Sequence, residues 1–145
     1  MPRTSRLALC LGSAMIASLA TRASAQTAHA PADTLTTKLG VYTFQQAQRG
    51  SDVYAGNCRS CHAPETHAGP MFTSMWQGRS LAELYAYIRD RMPKNDPGSL
   101  SAEEYIDVIA YLMRMNKQPM GELELAADSL ALAKIRIDIT PKGSP

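Results

Sequence analysis

Three stretches of this chain repeat apolar side chains at helical spacing, and each opens on a residue suited to capping a helix. In the first, Thr43 precedes Phe44, Ala47, Gly50 and Tyr54, which share one face, and Gln46 stands at the spacing of a capping-box partner. Gly50 is unusual there, because a glycine inside a helix is about 1 kcal/mol worse than alanine. Four residues before an aromatic, it predicts a close crossing by another helix; a plain break at Arg49-Gly50 is the alternative. In the second stretch, Ser80 and Glu83 make a capping box ahead of Leu81, Leu84, Tyr85, Ile88 and Met92. Pro93 stops it, since the residue before a proline is pushed out of helical backbone. In the third, Ser101 and Glu104 cap a helix to about Asn116, with Tyr105, Ile106, Ile109, Leu112 and Met113 as a broad stripe and Tyr111 at its edge. Lys117 to Gly121 ends it.

The intervening segments carry different patterns. Residues 63–78 hold Pro64, Gly69-Pro70 and Gly78 and read as a loop, yet include Met71, Phe72, Met75 and Trp76, large apolar side chains that need something to cover. Asn95-Asp96-Pro97-Gly98 is turn chemistry. Residues 26–40 are rich in Ala, Thr and Pro without an apolar period, as expected of a flexible leader. Residues 122–145 form an extension in which Ile135, Ile137 and Ile139 alternate with Arg136 and Asp138 in strand fashion; whether it packs on the domain or on a partner is open. No internal repeat is present.

Charge and composition matter first at the N-terminus. Arg3 and Arg6 precede an uncharged apolar run from Leu7 to Ala20, and Ala23-Ser24-Ala25 is a small-x-small cleavage site before Gln26. Residues 1–25 therefore read as a signal peptide. The apolar run is shorter than the ~20 residues of a membrane-spanning helix. Cys10 follows the bulky Leu9, unlike a lipoprotein cysteine, and cleavage would remove it. Losing Arg3, Arg6 and Arg22 from 15 basic residues leaves 12 against 13 acidic ones, a formal charge of −1. That balance, without a clustered basic face, argues against a nucleic-acid surface. The expected product is a periplasmic, soluble domain.

Two of the three cysteines fall in Cys58-Arg59-Ser60-Cys61-His62. A C-x-x-C-H run is the attachment signature of c-type haem: two thiols on one helical turn add to the porphyrin vinyl groups, and the adjacent imidazole becomes the proximal iron ligand. A sixth ligand in an electron carrier is most often a methionine thioether. Of the six methionines downstream of His62, Met92 is best placed, closing a helix before Pro93 and a turn-rich loop; Met71 and Met75 come next. The Pro70 carbonyl, soon after the motif, is the nominated acceptor for the second N–H of His62. His67 is a possible ligand, although a lone loop histidine is more often solvated. Rival uses of the thiols fit less well. Zinc requires two further ligands at suitable spacing, and a thiol–disulfide oxidoreductase wants its Cys pair after a strand in a βαβ setting.

Taken in order, Gly50-x-x-x-Tyr54-x-x-x-Cys58-x-x-Cys61-His62, then Gly69-Pro70, then Met92-Pro93, then a helix with Tyr111, resembles the class I monohaem c-type cytochromes over residues 41–121. The stretch from Trp76-Gln77-Gly78-Arg79-Ser80 to Ser101 is similar to small bacterial periplasmic cytochromes associated with dehydrogenases. The resemblance implies an all-α cytochrome c fold, in which N- and C-terminal helices cross at Gly50 and Tyr54 against the Tyr111 region. It also implies one covalent haem c on Cys58 and Cys61, axial ligands His62 and Met92, and Pro70 as the acceptor for His62. The short stretch from His62 to Met92 implies trimmed loops on one haem edge, which Trp76 would partly cover. Ala63 stands where many relatives have glycine. The expected function is one-electron transfer with redox protein partners such as a periplasmic dehydrogenase, oxidase or reductase. The alternatives are a haem subunit docked to a dehydrogenase through residues 122–145, and a small haem enzyme or sensor with an open sixth position.

Overall fold

The computed structural model describes residues 35–139; the expected signal peptide, Cys10 and most of the expected leader lie outside them. Five helices make up about half of the described chain: α1 (Phe44–Asn57), α2 (Gly69–Trp76), α3 (Leu81–Arg91), α4 (Ala102–Met115) and α5 (Ser129–Ala133). The architecture is all-α, with a two-residue parallel pairing of β1 (Leu35–Thr36) and β2 (Ile135–Arg136) joining the two ends of the described chain.

The helix starts follow the capping residues. Ser80 and Ser101 each accept from the backbone three residues on, and Glu83 and Glu104 reach back to complete both boxes. Thr43 likewise accepts from the Gln46 amide, but the Gln46 side chain does not return to it. Gln46 instead pairs with the backbone of Leu125 in both directions, at 2.8 Å each, because the chain after α4 runs alongside α1 and leaves those groups buried together.

The crossing of α1 and α4 forms the centre of the molecule. A Cβ at Gly50 would stand 1.8 Å from the carbonyl oxygen of Asp107, so the two backbones touch there. One turn along, the Tyr54 and Tyr111 rings lie 5.4 Å apart. Beside the contact, Arg49 grips the Asp107 carboxylate through Nε and Nη2 at 2.8 and 3.0 Å and extends to Glu124. The α4 stripe is buried as its spacing predicts. Phe44 departs from the expected α1 face: it is exposed beneath the Arg114 guanidinium, and Tyr42 fills the core, donating its hydroxyl to the Gln118 carbonyl at 2.7 Å.

Residues 63–78 are not a loop throughout. A single 3-10 turn spans Pro64–His67, and α2 follows, entered through Gly69 at φ +67° with Pro70 in its first turn. Proline there gives up no helical hydrogen bond, which is why the Gly-Pro pair starts a helix here. Order also begins before the expected leader boundary at residue 40: Thr37 is buried, hydrogen-bonded to Gln118 and Asp138. The extension packs on the domain. Leu125, Leu132, Ile135 and Ile137 enter the core, and Ile137 bonds Gly78 and Arg79 through its backbone. Among the described residues no helix is long and apolar enough to cross a membrane.

Candidate functional site

The C-x-x-C-H segment continues the end of α1. The amides of Cys61 and His62 both bond the Cys58 carbonyl, at 3.1 and 2.9 Å, so the motif is one helical turn. Cys58 is half-buried and Cys61 exposed, and burial raises the Cys58 thiol from its ordinary value.

This turn borders a cleft of about 300 Å³. Cys58, Cys61 and His62 line one part of it, Phe72 and Trp76 of α2 another, and Leu84 and Ile88 of α3 a third. Val108 and Leu112 of α4 also contribute. Met92 reaches the same cleft from the end of α3. Its amide donates to Ile88 and its carbonyl accepts from the Tyr105 hydroxyl, 2.9 Å away, so Met92 is pinned from both sides of its peptide unit. Trp76 is buried, edge-on to Tyr87 at 5.4 Å, with the Arg79 guanidinium 4.6 Å over its ring. Met71 and Met75 line the cleft while remaining exposed. Among the described residues, Lys94 is the only Lys, Arg, Asp or Glu in the lining.

Of the residues singled out in the sequence, Cys58, Cys61, His62, Met92 and Trp76 therefore share one cavity. Pro70 does not; it is exposed in the first turn of α2, outside the lining. His67, by contrast, is a cleft residue in contact with His62, their ring centroids 4.8 Å apart at 65°. Its Nδ1 lies 2.9 Å from the Tyr54 hydroxyl, which donates to the His62 carbonyl at 3.2 Å. Burial raises Tyr54 to about 12, so this phenol keeps its proton. Asn116 was not singled out by the sequence. Its side chain accepts from the Gly69 amide at 3.1 Å and donates to the His67 carbonyl at 2.9 Å, tying the loop to the end of α4. Tyr105 was legible only as core. A buried tyrosine needs a partner for its hydroxyl, but spacing does not say which.

Two thiols, an imidazole and a thioether around an apolar cavity are the donor set of a thioether-linked haem. Among the described residues no group of three or more His, Cys, Asp or Glu side chains is arranged to hold a metal ion. The Cys pair ends a helix rather than following a strand, against the oxidoreductase reading. Residues 45–112, a little under half of the 145-residue chain, match the family model described as Cytochrome C oxidase, cbb3-type, subunit III. Searches of curated proteins and of solved structures found no match.

Proposed function

Since this chain is a c-type cytochrome carrying covalently bound haem c, with Cys58 and Cys61 at the attachment spacing, we propose that it is a soluble, exported one-electron carrier with His62 and Met92 as axial iron ligands. The reading rests on one observation above others: His62 and Met92 line the same apolar cleft as both thiols. Haem c supplies a one-electron ferric/ferrous couple. The chain supplies the setting for it. The thiols anchor the group, and Tyr105 holds the Met92 backbone by its carbonyl. Leu84, Ile88, Val108 and Leu112 keep water away, so the environment changes little between oxidation states. Lys94 lines the cleft, and no Asp or Glu does so among the described residues, a setting suited to offset a propionate charge.

Export is supported by the Arg3–Ala25 pattern. Redox protein partners are supported by the description of the matched family as an oxidase subunit, and Met71 and Met75, exposed on the cleft, offer apolar contact to such a partner.

The optical spectrum of the purified, haem-loaded protein tests the ligand set. The wild type is expected to be low-spin with a weak thioether–iron band toward the red, and Met92→Ala to lose that band while retaining covalent haem. A high-spin ferric wild type would instead support the open-site enzyme or sensor.

A further inference from the structure

α2 brings Phe72 and Trp76 to the cleft, yet it is only eight residues long. A helix that short is marginal in water by itself, so its place is set by what grips its ends. Asn116 takes the Gly69 amide at its start. Its far end is gripped by the extension after Gly121, which lies beyond the span matched to the cytochrome family, residues 45–112. Just past Trp76, the Gly78 amide donates to the Ile137 carbonyl and the Ile137 amide to the Arg79 carbonyl, both at 2.8 Å. Ser80 and Arg136 continue this pairing as an antiparallel bridge. The Gln77 side chain accepts from the Ile139 amide at 2.7 Å and donates to Asp138 Oδ1 at 3.4 Å. Ile137 is fully buried, which pegs this part of the extension to the core, and Thr37 accepts from the Asp138 amide at 3.0 Å. Arg79, inside the gripped stretch, lays its guanidinium 4.6 Å over the Trp76 ring.

We infer that residues 136–139 are a positioning strap for the haem: by pairing with residues 77–80 they hold Trp76 in the cleft wall. This rests on the reading of the cleft as the haem site. Held there, Trp76 keeps water from one edge of the porphyrin. Ferric haem carries one more positive charge than ferrous haem, so a dry wall disfavours the ferric form and raises the midpoint potential. Loosening the strap admits water and lowers it.

The test pairs near-ultraviolet circular dichroism with an optical redox titration of the full, haem-loaded chain and of Gln77→Leu, Ile139→Pro and Gln77→Glu. Trp76 is the only tryptophan in the sequence, so its dichroic band reports how firmly that ring is held. Leucine at the exposed Gln77 removes the acceptor for the Ile139 amide, and proline at 139 removes the donor. Glutamate keeps an acceptor oxygen there. Gln77→Leu and Ile139→Pro are each expected to weaken the Trp76 band and to shift the ferric/ferrous equilibrium about threefold toward ferric. That is a fall of about 28 mV for one electron. Gln77→Glu is expected to stay close to wild type. An unmoved potential in both disrupting variants, or the same fall in Gln77→Glu, would overturn the inference. A lowered melting temperature with band and potential intact overturns it too, since the strap would then only add stability. Should Gln77→Leu fail to retain haem, Ile139→Pro carries the test. Where Met92→Ala removes the thioether–iron band, the haem lies in this cleft, and an unmoved potential removes the role of the strap alone. Where the wild type has no such band, the reading of the cleft fails, and the inference with it.

Discussion

At the level of single residues, charge and capping converge on Ser80 and Glu83. The Glu83 carboxylate accepts from the Ser80 amide and hydroxyl, at 2.8 and 2.9 Å, and from Arg79 at 3.1 Å. These contacts, the Ser80 backbone bond foremost, hold its pKa at about 2 against an ordinary 4.5. A depressed carboxylate contributes stability that is complete above its unfolded value and fades as pH falls through its folded one. The contribution of Glu83 is therefore present at neutral pH and is lost between about 4.5 and 2. Glu83→Gln is expected to lower the melting temperature modestly at pH 7, with the gap to wild type closing across that acid window. Thermal melts at stepped pH check this, and a gap independent of pH would count against it. Ser80, Glu83, Ser101 and Glu104 were legible because a capping box is written within four consecutive residues. Gln46 sits at the same spacing but bonds Leu125, a partner 79 residues away that no local pattern names.

Among the elements, the crossing of α1 and α4 is the joint on which the cleft depends, since α1 leads into the attachment turn and α4 supplies Val108 and Leu112 behind it. Gly50→Ala improves helix propensity by about 1 kcal/mol, yet places a carbon against the Asp107 carbonyl, which is backbone and cannot rotate away. Overpacking of this kind costs about 1–3 kcal/mol, and the rigidity of the contact puts it at the upper end. The net destabilisation is expected to be about 2 kcal/mol, a fall of roughly 10 °C in melting temperature for a domain of this size. Calorimetry of the haem-loaded protein measures it; an unchanged or raised melting temperature would show that the helices can separate freely. The sequence pointed to this joint because an interior glycine before an aromatic is hard to explain otherwise. It pointed away from α2, where Gly69-Pro70 reads as a turn by residue type. The pair starts a helix because proline suits a first turn and the Asn116 side chain takes the Gly69 amide.

For the whole molecule, the extension after Gly121 belongs to the fold. Leu125, Leu132, Ile135 and Ile137 are buried, and β2 pairs with β1 so that the ends of the described chain close on one another. Each large apolar side chain withdrawn from water contributes about 1.5–3 kcal/mol, so four together rival the whole stability of a small domain, about 5–15 kcal/mol. Truncation after Gly121 is expected to abolish cooperative unfolding, as followed by circular dichroism. A truncated chain that melts like wild type would make the extension a mere appendage.

Sequence alone determined the attachment turn at Cys58–His62, three capped helices, the crossing at Gly50 and a methionine at the end of α3, because each is encoded within one or two turns of chain. Tertiary structure decided what distant segments do to one another. It put the His67 ring against His62, set Tyr105 under Met92, and drew the extension into the core. Such contacts join residues tens of positions apart, and hydrophobic burial, which drives them, is non-directional. The pattern of apolar residues says that a face will be covered; only the packed chain says by what.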